Sequence, residues 1–420
     1  MTTYSWSKPV NGSWTTASNW TPNGGPQAGT TPPYISGDAA VFATGSRAHY
    51  TVTTGGESAS LRVSGDHVTF DHFNNYNNGP GGNLTVNAGA DLTVTSTSSL
   101  FYNAVGSGPG GTMGVDHARI TDYGALTGAF ANIGAGGVLT LSGAAAVLST
   151  GVGMGIAVGG MMTISGGASC HAGSDVENIA GVLKITGLGS SAGLGSAGGT
   201  GKVEIYNHAT IESGATTGSL SFILGNYAGL HFDGSVAAGA KINFVGQHGA
   251  MTLNSDPGQP AQGYAMGGVI SGFSQTDALL LDGTPVTQVL YTAGAGGAGS
   301  LKLFNGNTAV GTLAIAGNYA GHQFAVMQVS ATESRITEKP ITPLAQLSEA
   351  LTAAIAELKA DPAHLGSILA GLTGPLPPAL DGGAWQAGAS SEHPLAMAAY
   401  SVIHPSGGDA LPLSLSLSHA

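Results

Sequence analysis

Gly137-Val138-Leu139-Thr140-Leu141, Gly160-Met161-Met162-Thr163-Ile164, Gly181-Val182-Leu183-Lys184-Ile185 and Gly201-Lys202-Val203-Glu204-Ile205 are four copies of one degenerate unit. Each opens on glycine, alternates side chains in and out, and leads into a Gly/Ala/Ser turn. The units start 23, 21 and 20 residues apart. A near-constant period of that size marks a solenoid in which each repeat is one coil. Gly82-Asn83-Leu84-Thr85-Val86 and, more loosely, Gly249-Ala250-Met251-Thr252-Leu253 carry the unit outward in both directions. Within a unit, pairs such as Leu139/Leu141 and Leu183/Ile185 share one face of a strand. One coil alone cannot bury that face. Stacking the next coil about 4.8 Å away satisfies the backbone hydrogen bonds and closes an apolar interior. The reading is therefore all-β: a right-handed parallel β-solenoid (β-helix) over residues 46–268, of roughly ten coils and on the order of 50 Å of stacked rise.

Composition supports this and removes other classes. Glycine is 70 of 420 residues, with no collagen-like triplet period. Charged residues make up 8%, where roughly 25% is usual. A mean hydropathy of +0.18 and recurrent apolar triplets argue against disorder. The net charge of -12 reflects only 11 Lys and Arg, so there is no basic patch to neutralise phosphates and nucleic acid is not an expected partner. Cys170 is the single cysteine, which excludes an intramolecular disulfide framework. No run of 18 apolar residues reads as a transmembrane segment. The opening Met1-Thr2-Thr3-Tyr4-Ser5-Trp6 lacks the basic and apolar regions of a signal peptide. With this composition, the expectation is an extracellular or cell-surface protein exported without one, by a route such as type I secretion.

The flanks differ from the repeats. Residues 1–45 hold Trp6, Trp14 and Trp20 and read as an aromatic cap over an open sheet edge, with a carbohydrate-stacking platform as the sharper alternative. Residues 269–336 read as a β-rich C-terminal cap or small sandwich. In residues 337–372, Leu344, Leu347, Leu351, Ile355 and Leu358 fall on one helical face, and Asp361-Pro362 opens a second amphipathic helix. Residues 373–420 read as a flexible tail, with Leu411–Ala420 a possible secretion signal.

Gly12-Ser13-Trp14-Thr15-Thr16-Ala17-Ser18-Asn19-Trp20-Thr21-Pro22, Gly37-Asp38-Ala39-Ala40-Val41-Phe42 and Tyr50-Thr51-Val52-Thr53 resemble the start of bacterial secreted β-strand-repeat proteins, passenger-like or type I secreted solenoids. Ile270-Ser271-Gly272-Phe273, Asp277–Leu281, Leu313–Tyr319 and Phe324 resemble the closing module of the same group. The resemblance implies fold and export, and it carries no catalytic residues. The chain departs from the group in having neither a calcium-binding nonapeptide array nor a C-terminal membrane barrel.

Candidate chemistry is sparse. Gly189-Ser190-Ser191-Ala192-Gly193 matches a nucleophile elbow but lies between repeat strands. Gly294, Gly296 and Gly299 fit a dinucleotide fingerprint but precede a strand where a helix is required. The acid–histidine pairs Asp66-His67, Asp71-His72 and Asp116-His117 are the candidates for a cation site, or for polysaccharide cleavage if they share a corner of successive coils; otherwise they are turn residues. Thr51/Thr53 and Thr93/Thr95 suggest an ice-binding face, but Thr140-x-Ser142, Thr163-x-Ser165 and Lys184-x-Thr186 break the pairing, and that reading is set aside. The leading expectation is a non-enzymatic structural or adhesive surface protein without cofactor, self-associating into filaments or a matrix and contacting surface polysaccharide. A polysaccharide-active enzyme and a carbohydrate-binding module are the alternatives.

Overall fold

The computed structural model describes residues 2–23, 33, 38–45, 47–77, 82–87, 89–102, 112–173, 176–255, 264, 266–319 and 322–340. The expected helices and tail, beyond residue 340, lie outside them. Among the described residues there is no α-helix, only two short 3₁₀ turns at Ala17–Asn19 and Ala295–Gly297. Nor is any described helix long and apolar enough to cross a membrane.

The chain is a parallel β-solenoid with three strand positions per coil. One coil shows the logic. Val138–Ser142 lies on face 1; the long strand Val147–Ile156 then supplies face 2 and, after a break at Gly151-Val152, face 3; Met161–Ser165 begins the next coil on face 1. Along face 1, from His49–Thr53 to Val269–Ser271, each strand pairs in parallel with the one before, as in Val138↔Met161, Met161↔Val182 and Val182↔Lys202. Face 1 belongs to a 15-stranded sheet, while faces 2 and 3 form a 20-stranded one.

Alternation places the core. On face 1 the inward row runs Val68, Leu92, Ile120, Leu139, Met162, Leu183, Val203, Phe222 and Ile242, all buried and in register. Burying each such side chain contributes about 1.5–3 kcal/mol, and only stacking makes the burial possible. Coil length varies more than the central repeats indicate. His49, His67, Asp91, Arg119 and Val138 occupy one register position, so successive coils differ in the number of residues between their strands.

Both ends are closed by antiparallel pairing, which blunts a parallel edge. At the start, Thr3–Trp6 pairs antiparallel with Trp20–Asn23 and parallel with Ala39–Phe42. At the far end the solenoid runs past residue 268: Val269–Ser271 and Ala278–Asp282 still stack in parallel on the preceding coil. Thr308–Ala316 then joins face 1, extended antiparallel by Ala298–Asn305 and Gln288–Ala293. Ser334–Pro340 closes the other sheet against Ala278–Asp282.

Candidate functional site

Trp6, Trp14 and Trp20 are buried, at 3%, 0% and 4% exposure. Their rings pack edge to face, Trp6–Trp20 at 5.0 Å and Trp14–Trp20 at 4.7 Å between centroids. Each indole N–H donates to a backbone carbonyl, of Val10, Pro33 and Trp14 respectively. No indole face is left open to a sugar ring. These residues form the core of the N-terminal end, and the carbohydrate platform expected there lacks an exposed surface.

The three acid–histidine pairs do not meet. Asp66 is buried at the turn between faces 3 and 1, accepting from the Thr44 amide at 2.7 Å and the Tyr50 hydroxyl at 2.9 Å. Burial first, and the Asp66 carboxylate second, push the Tyr50 phenol far above its ordinary value. His67 Nδ1 bonds Asp91 at 2.7 Å, and its ring stacks on His49 at 4.2 Å. Asp71 sits at the corner between faces 1 and 2, accepting from Thr95 at 2.9 Å, with His72 Nδ1 at 3.2 Å. The Thr95 hydroxyl holds the Asp71 carboxyl below its usual range, helped by His72. Asp116 holds its neighbour His117 at 2.9 Å where face 3 turns into face 1. His72 and His117 take left-handed backbone angles, φ 50° and 47°, at their turns. Among the described residues no three His, Cys, Asp or Glu side chains converge as a metal site requires. Asp71 lies at a different corner from the other two, and Asp116 shares its register row with Ser64 and Asn87, not with Asp66, so residues alike in sequence are not stacked.

Two arrays emerge that neighbouring sequence did not reveal. The first is a file of six threonines, Thr51, Thr69, Thr93, Thr121, Thr140 and Thr163, on the outer side of face 1, each paired with the next. Lys184 ends it. The pairing judged broken at Thr140 and Thr163 is broken only in its second member. The first member is continuous over six coils.

The second array occupies face 2. A cleft of about 340 Å³ crosses the outer side of strands Ser191–Leu194, Thr210–Ser213, Gly229–Phe232 and Ala250–Asn254. His171, Gly193, Glu212, His231 and Thr252 stand in one register row along it. One row further on, Asp233 accepts from Asn254 Nδ2 at 2.6 Å and lies 3.2 Å from His231 Nε2. Glu212 hydrogen-bonds Asp233; that contact and its charge raise the Glu212 carboxyl above its ordinary value, while His231 opposes them. Sequence reading passed over these residues because no local motif joins them. The signal was present in their spacing, since 171, 193, 212, 231 and 252 fall one coil apart. A wider hollow of about 520 Å³ near the C-terminal end, beside Phe273 and Tyr319, carries Glu338 as its one lining carboxylate.

The two sequence matches dismissed earlier are strands here. Ser191–Leu194 is a repeat strand whose neighbour Ser190 is buried and accepts from the Gly167 amide at 3.0 Å. The glycines at 294 and 296 lead through a single 3₁₀ turn into the strand Ala298–Asn305, with no α-helix between. No family model matches the chain, and no curated protein is significantly similar to it.

Proposed function

We propose that this chain is a structural or adhesive protein of the cell surface, a solenoid exported from the cell that self-associates and contacts surface polysaccharide. The observation that carries the reading is the six-threonine file on face 1. A hydroxyl and a methyl group repeat there at about 4.8 Å, the interstrand spacing. Such a file suits a repetitive partner, because every coil offers the same weak contact and the contacts act together. The low charge of the chain suits broad, polar contact better than electrostatic capture.

Self-association has a physical basis at one end. Gln288–Ala293 is the last strand of the face 1 sheet, paired on one side only among the described residues, and its Leu290 is 52% exposed. Unpaired backbone groups on an uncharged strand recruit further strands, and contacts that do not close give filaments.

Protease treatment and antibody labelling of intact cells test the reading. Removal of the protein from intact cells, with filaments or a matrix layer seen by electron microscopy, is the expected result. A protease-protected protein found only in the soluble cell interior overturns it.

A further inference from the structure

We infer that the trough over Thr210, Gly229 and Ala250 on face 2 binds an uncharged glycan chain lying along the solenoid axis. The inference rests on the adhesive reading above and names the ligand class and its place. The floor is built by small outward residues in register on three successive coils, Thr210↔Gly229↔Ala250. Gly229 keeps the floor low: a Cβ added there would lie 3.1 Å from Thr210 Cγ2.

One side of the trough is the row Glu212, His231 and Thr252, backed by Asp233 and Asn254. Beyond the lining of the cleft, at the corner two residues before each floor residue, His208, Tyr227 and His248 are exposed. These three share left-handed backbone angles, φ 66°, 54° and 60°. Their rings stack at 4.4 and 4.7 Å between centroids. Since the ring faces cover one another, the ladder offers solvent its edges. A polar row on one side and a line of ring edges on the other suit an uncharged sugar chain, whose hydroxyls meet hydrogen-bonding groups while its C–H groups pass the ring edges.

The polar border also sets the ligand's charge. Glu212 and Asp233 offer carboxylate oxygens that accept from sugar hydroxyls, with His231 and Asn254 beside them. The negative charge on that pair repels a uronate chain. Periodicity adds a further constraint. Floor and border positions recur about every 4.8 Å, with a different residue at each, so an extended polymer along the axis meets one floor and one border position per coil.

Isothermal titration with cellohexaose, mannohexaose, xylohexaose and hexagalacturonate tests the inference on the full-length chain. At least one neutral hexasaccharide should bind the wild type, and hexagalacturonate should give no heat. Gly229→Leu, which fills the trough, should weaken binding at least tenfold. Tyr227→Ala, an exposed change that leaves the core intact, should weaken it several-fold and guards against a folding defect in the first variant. Val158→Ala, an exposed change at a corner between faces 3 and 1, should bind as the wild type does. Silence from all neutral probes, equal binding by both groove variants, or binding of hexagalacturonate as tight as any neutral probe each overturns the inference. A surface-exposed protein whose trough is silent defeats this inference alone. A protein confined to the cell interior that still binds through the trough defeats the surface role and leaves the trough standing.

Discussion

Asp122 occupies a position of face 1 where its register neighbours are Val94 and Leu141. Its side chain is fully buried; Oδ1 accepts the Gly124 amide at 3.0 Å and Oδ2 has no protein partner. Burial pushes its carboxyl up to about 7, against the single lowering contact from Gly124. The titratable group facing it is Tyr102, whose phenol is raised by burial, by Cys170 and then by Asp122. The Tyr102 ring lies over Gly128, where any Cβ would come within 2.0 Å of it. Because the folded-state value is raised, Asp122 favours the folded state most in acid. Between about pH 4 and 7 the unfolded chain loses this proton while the folded chain keeps it, so stability falls as pH rises. Above that window the loss is complete, about 4 kcal/mol for three pH units. Asp122→Asn should therefore flatten the pH dependence of urea unfolding between pH 4 and 7 relative to the wild type. An unchanged slope would refute the assignment. A second residue-scale outcome concerns Cys170, which is fully buried, with its thiol raised to about 12 by burial and then by Glu177. A thiol reagent should label it only under unfolding conditions; labelling in native buffer at the rate of a free thiol would contradict the packing.

Within one strand, adjacent residues carry opposite roles. Leu139 points inward between Ile120 and Met162, whereas Thr140 points outward between Thr121 and Thr163. Leu139→Ala should cost about 2–5 kcal/mol, the usual range for a buried Leu truncation. Thr140→Ala should cost well under about 1 kcal/mol, because an outward site loses only cross-strand contact. Chemical denaturation of the pair checks both; similar losses would mean that the alternation has been assigned to the wrong faces. The terminal elements make a parallel case. Trp14 is fully buried between Trp20, Phe42 and Phe73, so Trp14→Ala should cost about 3–5 kcal/mol. At the opposite end, Leu290→Lys places a charge on the open strand, and should shorten or abolish filaments in electron micrographs without changing the melting temperature by more than a few degrees.

Across the whole solenoid each coil touches only its neighbours, so stability is a sum of nearest-neighbour terms and the ends are where opening starts. Amide exchange should be slowest in the coils around Val138–Ser142 and Lys202–Tyr206 and faster toward both ends. This arrangement also explains how much of the molecule was legible beforehand. Coils, apolar rows and glycine corners were readable because alternation and a period near twenty are local properties. The face 2 trough was not, because its walls come from three coils that no local motif joins. Only the pairing of successive coils brings Glu212 beside His231 and Asp233.

The amino-acid order alone therefore decided the architecture: alternating apolar residues with short turns can bury their side chains only by stacking. It also decided the low charge and the aromatic closure of the first coil. Which outward residues stand together was decided in three dimensions. Coil lengths vary while strand register is kept, so spacing along the sequence does not by itself give position within a coil. The Asp–His pairs, which look repeated in one dimension, fall at different corner positions, whereas six threonines and a carboxyl–histidine row, which do not, fall in register.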